Sequence, residues 1–327
     1  MNILMFGRGT IATLYGWALE KAGNRVDFYV RPGRAKQYGP EVDLRIRDGR
    51  ADRKGAPVAE KWPITMREDL AADHDYDVII LSVNHNQLAE AVDFLGARVA
   101  DATVLMFNNV WDEPSVVASQ LPAEQVVWGF PGGGGGYTGS TLRGGIVKGM
   151  FLGRLGDSTR TERYRRVRDL FHRAGFSVAE QGDFRSWLWF HFMLDAGLMA
   201  QSLKAGSYRA MVQSRAAVRE SILLVREMIP LLRAKGGTPR LGAALVSSVP
   251  AGLLAVAVQR LLGGDNMYSF IMEQVQGTGH ASYDMTSIYP RDVLADARRL
   301  GVPLPRLAAL EPMFGHRRPG PVGKPTP

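Results

Sequence analysis

The sequence predicts an α/β fold in which an N-terminal parallel-sheet domain is followed by an all-helical C-terminal domain. Three observations predict it. Short, continuous β-rich runs alternate with helical periodicity up to about residue 182. The first of these runs leads at once into a glycine-spaced turn, and from Phe184 onward apolar residues recur only at helical spacing.

NILMF (Asn2 to Phe6) reads as a buried strand, followed by GRGTIA and a helical pattern through Leu14, Trp17, Ala18 and Ala22 that Gly23 ends. RVDFYV (Arg25 to Val30) is the next strand. Gly7, Gly9 and Ala12 fall at the spacing of a dinucleotide-binding turn. Gly7 permits the tight bend, Gly9 admits a pyrophosphate to the backbone, and Ala12 lets helix and strand approach. Arg8, Thr10 and Ile11 complete the turn, and the helix N-terminus offers free N–H groups to phosphate. The end of the second strand carries no acid after Asp27 but runs into Val30-Arg31-Pro32-Gly33-Arg34. Arg31 and Arg34 suit a 2′-phosphate, so NADP(H) is expected over NAD(H).

DVIILSV (Asp77 to Val83) is a central-strand run that ends in Asn84-His85-Asn86-Gln87, where ligands bind in this class of sheet. Val83, Asn84 and Gln87 are therefore expected beside the cofactor. TVLMF (Thr103 to Phe107) ends in Asn108-Asn109, and VVWGF (Val126 to Phe130) runs into five consecutive glycines, Gly132 to Gly136. The glycine run is either a flexible loop or backbone pressed against a ligand. Further strands are expected within 145–156 and 176–181. TERYRRVRDLFHRAG (Thr161 to Gly175) reads as an amphipathic helix with a solvated arginine face. Helices are expected over 184–204, 208–235, 240–262, 266–276 and 286–300, and the basic Pro/Gly-rich end as a disordered tail. The expected division is 1–182 for a Rossmann-type NADP(H)-binding domain, 183–312 for a helical substrate and catalytic domain with the active site in the cleft between them, and 313–327 for the tail.

Composition excludes several classes. The chain has no cysteine, which removes disulfides, thiolate catalysis and Cys-based zinc sites, and no histidine pair has metal-ligand spacing. Its net charge of +8 suits an anionic ligand, but the basic residues are scattered, so nucleic acid binding is not expected. The longest apolar run is interrupted by Pro250, Gln259 and Arg260, and no signal-like leader is evident, so a cytoplasmic protein away from membranes is expected.

WLWFHFMLDAGLMAQ (Trp187 to Gln201) holds eleven apolar residues of fifteen, yet carries His191 and Asp195 four residues apart. That spacing puts both on one helical face. Ionisable groups in such a setting are paired or functional. As a satisfied core residue His191 would need only a partner; as an acid it would be oriented by Asp195 and could protonate an incipient alkoxide.

The chain resembles the ketopantoate reductase family over about residues 1–310. The resemblance is carried by ILMFGRGTIATLYGWALEKAGNRVDFYVRPGR, DVIILSVNHNQL, the FNN turn, the GF-P-Gly-rich segment, the W-x-H helix and LADARRLGVPLP. It implies a Rossmann domain plus a helical domain, and hydride transfer from NADPH to a ketone carbon. The family's W-x-K lysine aligns with His191, its first following asparagine with Asp195 and its second with Met199. In the strand-end motif Ser82, Val83 and Gln87 match, while Asn84 replaces a lysine. The family's active-site asparagine falls on Asn109. Its late serine and acid have candidates in Ser269 or Glu273, and Asp284. His280 is a second candidate acid, and Trp111 and His280 could line a substrate pocket.

Two absent lysines and the carboxylate of Asp195 argue against ketopantoate itself. The expected function is NADPH-dependent reduction of another small carbonyl substrate, with His191 as acid, Asp195 as its orienter and Asn109 as hydrogen-bond donor. Imine reduction and a non-catalytic NADPH-binding sensor are the alternatives. The expected partners are small molecules, and a homodimer is compatible with the reading.

Overall fold

The computed structural model describes residues 1–155, 161–278 and 283–315. The chain is of the α/β class, and it divides into two compact units. One comprises Met1–Leu188 together with the segment from Gly264; the other comprises Trp189–Gly263 and the helices from residue 283 onward. In the first unit β1 (Asn2–Phe6), α1 (Thr10–Lys21), β2 (Arg25–Tyr29) and α2 (Arg34–Tyr38) follow the expected order. Next come β3 (Glu41–Gly49), β4 (Ala56–Pro63), β5 (Thr65–Arg67), β6 (Val78–Leu81), α3 (Leu88–Gly96), β7 (Thr103–Met106) and α4 (Pro114–Val117). The series continues with β8 (Val126–Phe130), β9 (Gly133–Thr138), β10 (Thr141–Val147), β11 (Gly149–Gly153), α5 (Glu162–Arg173) and β12 (Ser177–Gln181).

Eight strands form one sheet in the order β12-β11-β8-β7-β6-β1-β2-β5. All neighbours are parallel except β11 against β8. A second sheet, in the order β4-β3-β10-β9, was not evident from the sequence. Its signal is short: Val42, Leu44 and Ile46 alternate inward on β3, and Trp62 on β4 joins them in the core.

The second sheet explains α1. Thr10 and all residues from Ala12 to Leu19 are buried, so this helix is enclosed on more than one face. Its apolar side chains share one cluster with Ile3, Met5 and Phe28 of the large sheet and with Leu44, Trp62 and Leu142 of the small one. The indoles of Trp17 and Trp62 donate to Glu60 Oε1 (2.5 Å) and Glu20 Oε1 (2.6 Å), tying β4 to the helix. Gly16 is required where α1 crosses β2, since a Cβ there would lie 2.7 Å from Phe28 Cζ.

Four of the five glycines lie in a strand. Gly133 to Gly136 begin β9, paired antiparallel with β10. The helix α11 (Met267–Gly277) packs on these strands, and a Cβ at Gly134 would lie 2.8 Å from Ile271 Cγ2. At Gly145 it would lie 2.9 Å from Met267 Cε. Side chains are absent here so that a helix can rest directly on a sheet.

In the second unit two expected helices are each split. Ser214 ends α7 (Tyr208–Gln213) and caps α8 (Arg215–Ala234), its hydroxyl accepting from Ala217 N at 3.2 Å. Pro250 separates α9 (Leu241–Ser248) from α10 (Ala251–Gly263), leaving Val249 extended. The chain also forms α6 (Phe184–Ala205), α12 (Tyr283–Arg299), α13 (Pro305–Ala308) and α14 (Glu311–Phe314). The expected tail lies outside the described residues from 316 on, and residues 313 and 314 belong to α14.

Lys235 and Asp296, each with a side chain 10% exposed, pair at 2.9 Å, and the Lys235 ammonium lies over Trp189. Burial opposes the Asp296 carboxylate, but hydrogen bonds from Lys235 and Arg299 outweigh it and hold its pKa below the ordinary value. A lowered carboxylate pKa gives stability that is present above the unfolded value and lost as pH falls through the folded one. Asp296→Asn is expected to lower unfolding free energy by about 2 to 3 kcal/mol near neutrality. The gap from wild type should close only in strong acid, as denaturant titrations at several pH values would measure. Gly134→Val is expected to cost about 1–3 kcal/mol by overpacking against α11. Gly149→Ala, where a Cβ meets nothing within 4 Å, should stay within about 0.5 kcal/mol in the same experiment.

Candidate functional site

The site begins where β1 ends. Gly7 adopts a left-handed φ of +98°, and its N–H donates to Tyr29 O at 2.9 Å, turning the chain sharply away from the sheet. Gly9 precedes α1 in extended geometry and contributes no side-chain cap. The first helical bond runs from Thr13 N to Gly9 O (2.9 Å), so the preceding amides of the helix start form no bond of this kind. A Cβ at Gly9 would meet nothing within 4 Å. The open face beside Gly9 and the helix start together make an anion cradle.

That cradle opens into a cavity of about 340 Å³. Arg31, Arg34 and Tyr38 line it from the segment after β2, and Ser82, Val83, Asn84 and Gln87 from the segment after β6. Phe6, Tyr29 and Phe94 form an aromatic wall, with centroids 4.7 Å apart for Phe6–Tyr29 and 5.0 Å for Tyr29–Phe94. Burial raises the Tyr29 phenol pKa, so the wall stays uncharged. Three arginines and one acid, Glu90, are among the lining residues.

The loop bearing Arg31 and Arg34 is anchored from β5. Glu68, just beyond that strand, accepts from Ala35 N at 2.7 Å, and this bond and one from Gly33 N lower its pKa. Arg34 Nη1 donates to Gln37 Oε1 at 2.5 Å, while Arg31 is exposed. At the end of β7, Asn108 is 5% exposed and its amide donates to Val83 O at 2.7 Å, bridging two strand ends. Asn108 Oδ1 and Ser82 Oγ are buried with no partner among the described residues. Orphaned polar atoms, an open glycine, helix-start amides and an aromatic wall fit a dinucleotide.

Of the sequence-expected cofactor residues, Gly7, Arg8, Gly9, Arg31, Arg34, Val83, Asn84 and Gln87 line this cavity, and Asn109 is not among the lining residues. Thr10 and Ala12 are buried in the first turn of α1 beneath it, with Ile11 between them. The aromatic wall, Tyr38, Glu90 and Asn108 were missed. Phe6, Tyr29 and Asn108 stand at strand ends, whereas Tyr38 lies on α2 and Glu90 and Phe94 on α3, and their convergence is a property of the tertiary fold.

Asn109 follows Asn108, and Trp111 is 3% exposed. Ser269 and Glu273 lie on α11, with Glu273 exposed. In the second unit His191 and Asp195 share one face of α6, with Nε2 and Oδ2 3.7 Å apart and side chains 30% and 22% exposed. Asp284 is exposed in the first turn of α12, and His280 lies outside the described residues. No group of three or more metal-ligating side chains occurs among the described residues.

The family profile described as ketopantoate reductase PanE/ApbA matches residues 3–139. A PanE/ApbA family ketopantoate reductase from Ralstonia eutropha JMP134 has the same fold, with a TM-score of 0.71 at 17% identity over 96% of this chain and 97% of that one. A 2-dehydropantoate 2-reductase from Geobacter metallireducens GS-15 gives 0.69 at 15% identity over 96% and 99%. A D-mandelate dehydrogenase in complex with NADH gives 0.67 at 14% identity over 96% and 98%. At these identities the likeness is one of fold. No curated protein matches the sequence. No helix among the described residues is long and apolar enough to cross a membrane.

Gly9→Val should leave thermal stability almost unchanged, because its side chain enters open space, yet abolish measurable NADPH binding in a fluorescence titration.

Proposed function

We propose that the protein is an NADPH-dependent reductase of a small carbonyl compound other than ketopantoate. The observation that carries this reading is the cavity at the start of α1, lined by Gly7, Gly9 and three arginines with one acid. NADPH bound there supplies the hydride. The amides of the helix start bind the pyrophosphate, and the aromatic wall and Val83 exclude water from the apolar parts of the cofactor. A D-mandelate dehydrogenase of similar fold is described with NADH, so the preference for NADPH rests on the cations of this chain and not on the fold.

His191 is proposed as the proton donor. Asp195, 3.7 Å from it, orients the ring, and partial exposure leaves the imidazole within reach of a substrate. As hydride reaches the carbonyl carbon, the His191 proton passes to the oxygen and the product leaves as an alcohol. Asn109 is proposed to donate a hydrogen bond to the same oxygen. Asn84, where the family motif has a lysine, lines the cavity without charge. Asn84 and His191 stand where the resembled family has lysines, and Asp195 adds a carboxyl group, so an uncharged ketone suits the chain better than a 2-keto acid. The Asp195 carboxylate also favours a substrate nitrogen, which keeps imine reduction as the second reading.

The test is NADPH oxidation, followed by nicotinamide absorbance, with ketopantoate beside uncharged ketones and cyclic imines. Silence on ketopantoate with turnover elsewhere in the panel is expected, and fast turnover of ketopantoate would overturn the substrate argument. On an active substrate, His191→Ala should lower turnover by about 10²–10⁴-fold and leave NADPH affinity intact. Loss of NADPH affinity in that variant would mean that His191 is structural.

A further inference from the structure

We propose that Arg8, inside the glycine turn, is the residue that reads the cofactor's 2′-phosphate, so that NADPH is distinguished from NADH there rather than by Arg31 and Arg34. The assignment rests on the nicotinamide-cofactor reading above. Arg8 lies between Gly7 and Gly9 and lines the cavity. Its guanidinium carbon is 4.9 Å from the ring centroid of Tyr38 and 4.7 Å from that of Tyr137. Tyr137 is itself fixed, its hydroxyl 2.7 Å from Thr13 Oγ1 on α1, and burial raises its pKa so that it stays neutral. Two aromatic faces therefore hold a planar cation, leaving only its edge donors to bind a ligand.

Two of those donors, Nε and Nη2 of Arg8, are buried and have no acceptor among the described residues. A buried charged donor left unmatched is costly, and a phosphate satisfies two donors of a guanidinium at once. Arg31 by contrast is exposed, and Arg34 already donates to Gln37. Cations in water lose rotamer freedom on binding and are screened by salt, so they discriminate less. The pyrophosphate has its own donors in the helix-start amides. Tyr38, against which Arg8 stacks, lies on the segment after β2, where the ribose 2′ substituent approaches in this fold. Stacking on Tyr38 thus places the Arg8 fork at the 2′-phosphate.

The experiment is calorimetric titration of the full-length chain with NADPH, NADH, 2′,5′-ADP and 5′-AMP. Arg8→Met is expected to weaken NADPH and 2′,5′-ADP on the order of 10- to 100-fold and to leave NADH and 5′-AMP within about threefold. Arg8→Lys, which keeps the charge but loses the fork, should fall between, and Arg31→Met should cost less than Arg8→Met. Tyr38→Leu removes one stacking face and should weaken only the 2′-phosphorylated ligands, a check independent of how Arg8 variants fold. Equal loss of NADPH and NADH in Arg8→Met would reassign the residue to the pyrophosphate and overturn the proposal. So would a loss confined to Arg31→Met. A wild-type chain that binds neither dinucleotide would overturn the cofactor reading itself.

Discussion

Enclosure of α1 between two sheets is the constraint on which the rest of the first unit depends. A helix covered on one side by the parallel sheet and on the other by the small sheet cannot shift without breaking both cores. Its N-terminus is consequently a fixed point, with Gly7 turning the chain into it and Gly9 keeping its amides uncovered. The paired indole–carboxylate bonds between β4 and α1 and the glycine strand under α11 serve the same end, since they hold the small sheet in place. An anion site made from backbone is only as precise as the helix that carries it.

The parts of this arrangement encoded locally were legible in the sequence. Gly7, Gly9 and Ala12 announce the turn because each answers a steric demand within six residues, and the strands at 2–6, 25–29, 78–81 and 103–106 are short runs of the expected β-rich kind. The 41–63 hairpin escaped because its inward set on β3 is short, Val42, Leu44 and Ile46, each set between charged residues, so the segment reads as polar overall. The glycine run misled for a different reason. Composition alone offered a flexible loop or backbone pressed against a ligand, whereas Ile271 and Met267, far along the chain, are what crowd out side chains at Gly134 and Gly145. The two split helices were also readable in part, since Pro250 stands in the open, but Ser214 ends one helix and caps the next only once the backbone has turned.

The site follows the same division. Residues next to a motif were identified, while Tyr38, Tyr137 and the Phe6–Tyr29–Phe94 wall come together only in the folded chain. His191 and Asp195 were readable because a four-residue interval on one helix is local geometry, and the structure keeps them on one face at 3.7 Å. The chemistry proposed for the protein therefore combines a backbone cradle with the His191–Asp195 pair on α6.

Hydrogen exchange measured by mass spectrometry, with and without NADPH, tests the central claim most directly. The account predicts that NADPH slows exchange in peptides covering Gly7–Thr13, Tyr29–Tyr38 and Ser82–Ala91. Unchanged exchange across those three segments at saturating NADPH, or protection confined to other peptides, would contradict it.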